Sequence, residues 1–401
     1  MLRSLLVVAL VSCVAVAAAD AAVSIDPYTE PKRDSRRAAN DTVELRVKRL
    51  VDRYRAAVGL SAATLDAKLS KGCMEHAQYM RLNKDSDAIA GLNAHHQRPN
   101  LRGASADGAA CGEAADLFFG VSDLEVAVDG WMSGLYHRRP ILTPTLERIG
   151  VGYAKLPDGS YMAALMFVDA KGGDVSAKWP VAYPADNQGG VPLEFGSEIP
   201  NPVPGGARAG YPITIQFPPF EKVTDVRATL VDERGKDVAF YLSDPEHPAT
   251  PSFGQYGVVC LIPKLPLRPD SRFEVRVDAA WKGKASTWRW SFRTLALRPV
   301  DAQDEEAVTR AINIASTLRG TVLNGGMMVD GDTAFLQLGL RTQKRYKMVL
   351  ILIPRDVWGE LGGKPDPFVG RTLEVDGTPH LFQGAYINIP ITVAGQLRIV
   401  P

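Results

Sequence analysis

Residues 131–152 read WMSGLYHRRPILTPTLERIGVG, and this stretch decides how the first part of the chain is read. Its end, Ile149-Gly150-Val151-Gly152, opens an apolar run that a Pro157-Asp158-Gly159 break separates from Tyr161 to Val168. Two such runs around a turn able to take positive φ predict an antiparallel hairpin. Upstream, the same window holds His95, His96 and Cys111-Gly112-Glu113, and its centre holds His137-Arg138. Imidazoles and a carboxylate recurring in one domain can converge on a single ion or proton. Histidines at helix ends also serve as plain structural donors, and spacing alone leaves both readings open.

Working back toward the N-terminus, Val43, Val47, Leu50, Val51, Tyr54 and Val58 recur at three and four, which predicts an amphipathic helix ended by Gly59. A second helix follows, with Thr64 as its expected cap and Leu65, Leu69, Cys73, Ala77 and Met80 along its inner face. His76 falls beside that face, in a packed, hydrogen-bonded role. Gly91 to Gly108 reads as a loop carrying His95 and His96, and Gly112-Glu113 as a turn. A third helix runs from about Asp123 through Trp131, capped by Ser122 or Asp123 and packed by Val126, Val128 and Trp131. Helices first and strands last on one core make residues 43–170 an α+β layered domain.

The order of these residues resembles the CAP superfamily, the cysteine-rich secretory, antigen-five and pathogenesis-related proteins, and its bacterial SCP-like extracellular branch. The resemblance rests on the helix Met74-Glu75-His76-Ala77-Gln78-Tyr79-Met80, a His after its end, Gly112-Glu113, and the W…HR..IL…IGVG pattern from Trp131 to Gly152. It implies an α+β sandwich with a cleft lined by two histidines and acidic partners. The first histidine maps onto His95 or His96, the acid onto Glu113 and the second histidine onto His137. Animal and plant members carry another Glu shortly after the Trp, where Met132-Ser133-Gly134 stands here. Two neutral imidazoles and one carboxylate suffice for zinc or another divalent metal with an open position, so His95, His96 and His137 are candidate ligands. With the second acid missing, the expected ion is loosely bound. Ser133 lies four residues before His137, where one helical turn brings side chains together. Glu113, Ser133 and His137 are therefore the candidates for hydrolysis, though no catalytic role is assigned to them. The sequence shows no nucleophile elbow, phosphate loop or dinucleotide fingerprint.

Forty-six Lys and Arg against 45 Asp and Glu leave a formal charge of +1, which argues against a broad nucleic-acid footprint. Residues 1–22 read as a secretory signal: Arg3, then an apolar run to Ala19 ending in small residues. Leu10-Val11-Ser12-Cys13 also fits a lipoprotein box, and lipidation at Cys13 would be the route to a membrane. Either way the expected location is secreted, periplasmic or at the cell envelope. Residues 23–42 form a flexible leader. Without the signal, Cys73, Cys111 and Cys260 remain. Export permits a Cys73–Cys111 disulfide, the alternative being two buried thiols, and at least one thiol is left over.

Residues 171–210 are dense in Pro and Gly and read as an interdomain linker. From 211 to 296 strand-like runs at 213–217, 226–231, 257–262, 273–277 and 288–292, with no helical period, predict a β-sandwich and resemble bacterial immunoglobulin-like modules. From 297 to 401 a helix over Asp304 to Leu318 and six short strands resemble an OB-like β-barrel. His247 and His380 read as surface or turn residues. Two functions follow from different classes. One is a modular binding protein whose cleft takes a small or apolar ligand, a lipid or an envelope partner. The other is a metal-assisted hydrolase acting on peptides or envelope polymers.

Overall fold

A computed structural model describes residues 41–170, 178–312, 314–339, 346–382 and 385–400. The signal and leader up to residue 40, Cys13 among them, lie outside the described residues. Helix α1 (Val43–Ala57) begins where the Thr42 hydroxyl accepts the Leu45 N–H, and it buries Val47, Leu50, Val51 and Tyr54. Helix α2 (Ala67–Leu82) is capped by Asp66, whose carboxylate accepts from the Lys68 and Leu69 N–H groups. Thr64 is not the cap: Thr64–Leu65 is a short strand, β1, paired in parallel with Arg148–Ile149. A carboxylate beside the positive end of the helix serves the orphan N–H groups well.

Strand β3 (Leu146–Lys155) and β4 (Tyr161–Asp169) form the expected antiparallel hairpin. Together with β2 (Ala115–Val121) they make a sheet of order β1-β3-β4-β2. The two glycines of the quoted stretch let α2 lie directly on β3. A Cβ at Gly152 would fall 2.0 Å from the Cys73 carbonyl carbon, and one at Gly150 would fall 2.5 Å from the Leu69 Cβ. The stretch 91–108 is partly helical. A 3₁₀ turn spans Gly91–His95, and helix α3 (Ala106–Ala114) starts at the Ser105 cap. Gly112-Glu113 is thus the last turn of a helix, not a free turn. Cys73 of α2 and Cys111 of α3 are bonded, with Cα atoms 5.2 Å apart, and Cys260 is a buried free thiol. Helix α4 (Leu124–Met132) is capped by Asp123 and buries Val128 and Trp131, while Val126, expected to pack it, is 48% exposed. Helix α5 (Arg138–Ile141) follows at once.

The expected linker carries strands. Val181–Tyr183 (β5) pairs with Ile213–Gln216 (β7), and Gln188–Val191 (β6) pairs in parallel with Lys284–Thr294 (β12). The flanking prolines sit just outside β5, where their missing N–H costs no ladder bond. Completing this region are β8 (Val223–Asp232), β9 (Phe240–Ser243), β10 (Val258–Pro263) and β11 (Arg272–Trp281), in two four-stranded sheets ordered β5-β7-β10-β9 and β6-β12-β11-β8. The two sheets face each other: the Phe217 ring stands 5.4 Å from that of Trp281 and 5.1 Å from that of Trp288. One continuous apolar core runs from Val47 and Leu50 through Ile149 and Leu165 into Tyr183, Ile215, Val275 and Phe292.

Beyond it the chain builds a separate core around Leu336, Ile351, Trp358 and Ile389. Here the strands are β13 (Arg298–Asp301), β14 (Ser316–Met327), β15 (Thr333–Leu338), β16 (Met348–Pro354), β17 (Thr372–Gly377), β18 (His380–Phe382), β19 (Tyr386–Pro390) and β20 (Leu397–Val400). Their order is β18-β19-β16-β15-β14-β17-β20 with β13 against β14. This path is open at β18 and β20 among the described residues, so the expected barrel is an open sheet. Helix α6 covers only Glu305–Ala311, and α7 (Arg355–Glu360) lies beyond β16. The expected helix to Leu318 ends early because Ser316 to Leu318 pair with both β13 and β17, and tertiary pairing overrides local propensity.

Candidate ligand cleft

His95, His96, Glu113 and His137 line one cavity of about 500 Å³, together with Asp116, Asp169, Arg139, Ile199 and Phe253. The cavity lies at the seam between the first α/β layer and the two-sheet region, and both contribute walls. His95 ends the 3₁₀ turn, half-buried, and its Nδ1 donates to the Gly112 carbonyl at 2.8 Å. Burial, chiefly, and the nearby charge of His137 push its pKa down. His96 and Glu113 are exposed at the rim. A smaller cavity of about 230 Å³ adjoins and shares Leu92, His95, His137 and Ile199 with the first. Its other walls are largely apolar, with Leu117, Phe118, Phe119 and Trp131, and carry Ser197 and Glu198 as well. Leu92, Phe119 and Ile199 are 41%, 40% and 59% exposed, an apolar lip on the opening.

His137 sits between α4 and α5, and its Nδ1 lies 2.9 Å from Glu198 Oε2. Burial alone would depress the imidazole, but the Glu198 bond and the charges of Asp116 and Glu198 outweigh it and hold its pKa above the ordinary value. Asp116, at the start of β2, is 8% exposed. Its Oδ2 is buried with no hydrogen-bond partner among the described residues. Burial pushes its carboxyl up to about 7 against the opposing pull of His137 and Arg139. The Arg139 guanidinium lies over the Tyr256 ring at 4.2 Å, which ties it to the two-sheet region.

The expected metal centre needs three donors within reach of one ion. Among the described residues no group of three or more His, Cys, Asp and Glu is placed to hold a metal ion. The Nδ1 atoms of His95 and His137 are committed to the Gly112 carbonyl and to Glu198, which leaves Nε2 as the free ring nitrogen of each. Ser133 is likewise engaged: its hydroxyl donates to the Gly130 carbonyl at 2.7 Å, and Gly196 packs against it. His76, as its place beside the inner face implies, is fully buried, 3.1 Å from the Gln97 amide, with its pKa pushed down to about 4 by burial.

Arg138, next to the cleft, is 1% exposed and crosses the seam. It donates to the Met132 carbonyl and to the Pro212 carbonyl, both at 2.7 Å, and its guanidinium stacks on Tyr183 and Tyr211 at 4.7 and 4.8 Å. Tyr211 returns a bond to the Met132 carbonyl, Gln216 donates to that of Arg139, and Tyr136 packs edge-on against Phe253.

Residues 48–168 match the model of the cysteine-rich secretory protein family, CAP, so this segment of the chain is a CAP-like α/β layer. An extracellular protein containing an SCP domain from Bacillus anthracis str. Ames is 17% identical over 34% of this chain, with a TM-score of 0.24. This chain spans 45% of the length of that protein. An outer surface protein from Borrelia burgdorferi is 17% identical over 36% of this chain and 97% of its own, with a TM-score of 0.23. No curated protein matches. Among the described residues no helix is long and apolar enough to cross a membrane.

Proposed function

We propose that this is an exported binding protein whose cleft takes a small amphipathic molecule, its polar end an ammonium or hydroxyl and its apolar part laid along Phe118, Trp131 and Ile199. The observation that carries this reading is Asp116, a nearly buried carboxyl with an unpartnered oxygen beside a polar cavity that continues into an apolar one. A buried acceptor without a partner costs about 1–3 kcal/mol, which a donor on the ligand would recover. Glu113, Asp116, Asp169 and Glu198 line the two cavities against Arg139 and His137, so a positively charged head is favoured over a carboxylate. The apolar lip of Leu92, Phe119 and Ile199 supports the second half of the ligand. Export rests on the signal-like N-terminus. The two-sheet region is read as an immunoglobulin-like sandwich, on its facing sheets and helix-free run of strands, and here it acts as the second wall of the cleft. The Ser133 hydroxyl, the candidate nucleophile of the hydrolase reading, donates to the Gly130 carbonyl.

The test is titration of the full chain with decylamine, decanol and decanoate, each below its aggregation concentration, followed by NMR of the cleft amides and Trp131 fluorescence. The amine should bind most tightly, decanol next and decanoate least, and Asp116→Asn should abolish the preference for the amine. Equal binding of all three, or shifts confined to residues outside the cleft, would sink the reading.

A further inference from the structure

Glu198 belongs to the loop between β6 and β7, beyond the CAP-like segment, yet its side chain is inserted among the residues that follow Trp131. That side chain is only 2% exposed. Oε1 accepts the Leu135 N–H at 2.6 Å, and Oε2 accepts the Tyr136 and His137 N–H groups at 3.0 and 3.4 Å as well as meeting His137 Nδ1 at 2.9 Å. Two glycines make room for it. A Cβ at Gly134 would fall 2.5 Å from Glu198 Oε2, and one at Gly196 would fall 2.2 Å from the Ser133 hydroxyl oxygen. The carboxylate therefore fills the place a side chain at position 134 would occupy, and it closes the backbone turn that presents His137.

An ionised carboxylate only accepts hydrogen bonds, so a neutral imidazole facing it must carry its proton on Nδ1. We infer that Glu198 is the positioning residue of the cleft: supplied by the two-sheet region, it fixes His137 as the Nδ1-protonated tautomer and leaves Nε2 as the nitrogen offered to an occupant. The cleft is then a composite, with its histidine on one region and the group that sets the histidine's state on the other. Its link to the proposed ligand runs only through His137, and the Glu198 contacts stand whether or not a ligand is found.

The experiment is ¹⁵N NMR of the ring nitrogens of His137 in the full chain, followed through a pH titration in the wild type, Glu198→Gln and Glu198→Ala. In the wild type the neutral form should show Nδ1–H, with a pKa above that of a free histidine. Glu198→Gln, whose one carbonyl oxygen can keep the Tyr136 and His137 N–H bonds while its NH2 group cannot accept from Leu135, should drop that pKa by about one unit or more, the size expected for losing an adjacent opposite charge. Glu198→Ala should shift the neutral ring toward the Nε2–H tautomer. A wild-type ring found as Nε2–H would overturn the assignment without need of any variant. An unchanged titration in Glu198→Gln with a native amide spectrum would overturn it as well. Failure of decylamine to bind, with the Nδ1–H tautomer present, would instead remove the ligand reading and leave Glu198 in place.

Discussion

Two boundaries in this chain differ in sequence and differ in kind. The Pro/Gly-rich stretch after residue 170 reads as a hinge, yet the apolar core passes through this boundary, from α1 and β3 into both facing sheets. Near residue 297 no proline-rich run marks a break, yet the core stops there and a separate one begins around Ile351 and Trp358. Composition reports where backbone groups lack partners of their own. It does not report whether side chains on either side are buried together, and burial is what couples two regions energetically. The cleft follows from the first case: a cavity at a shared seam can draw His137 from one side and Glu198 from the other.

The sharpest way to break this contrast is Arg138→Ala. It leaves the Pro212 carbonyl without the Arg138 donor, takes one of two donors from the Met132 carbonyl, and removes the buried cation stacked on Tyr183 and Tyr211, which should cost roughly 3–5 kcal/mol. Urea unfolding followed by NMR should show the first layer and the two-sheet region losing that stability together, while the amides of β14 to β16 keep theirs. A loss confined to the first layer would separate the two regions. Next in size, replacing Cys73 and Cys111 by serine opens a loop of 38 residues and should cost about 2–4 kcal/mol. Because α2, which carries Cys73, lies on β3 and β3 belongs to the shared core, the two-sheet region should unfold earlier in the same experiment although it contains no part of the bond.

The third effect, present only over part of the pH range, is a pH dependence. Asp116, near 7 in the folded chain against about 3.9 when unfolded, holds its proton more tightly when folded. Its contribution is therefore full below about pH 4 and is lost as pH rises through 7. His137, raised in the folded chain, stabilises below its unfolded value of about 6.5 and loses that contribution as pH rises through its folded value. Stability should thus fall between pH 4 and 8, and Asp116→Asn should recover up to about 4 kcal/mol at pH 8, the full effect of that raised pKa, and nearly nothing at pH 4. A variant no more stable than wild type at pH 8 would mean that Asp116 ionises without penalty.

Much of the first layer was legible because its signals are local. The stripe from Val43 to Val58 and the glycines of Ile149–Gly152 set helix and hairpin, and His95, His96, Glu113 and His137 do line one cavity. What escaped depends on distant partners. Asp116 carried a faint signal, an ionisable residue inside the apolar run Ala115 to Phe119. Glu198 carried none, since Gly196-Ser197-Glu198 is an ordinary polar stretch until folding brings it against Gly134. Strands β5 and β6 hid among prolines, and the early end of α6 was decided by pairing with β13 and β17.

The most direct test of the shared seam is native-state hydrogen exchange on the full chain, read amide by amide in rising denaturant. Slow amides of α2 and β3 and those of β7 and β10 should open with one common free energy and one common denaturant dependence, distinct from those of β15 and β16. If α2 and β3 instead opened at a free energy of their own while β7 and β10 stayed closed, the two regions would be independent modules. A cleft built across both would then be contradicted.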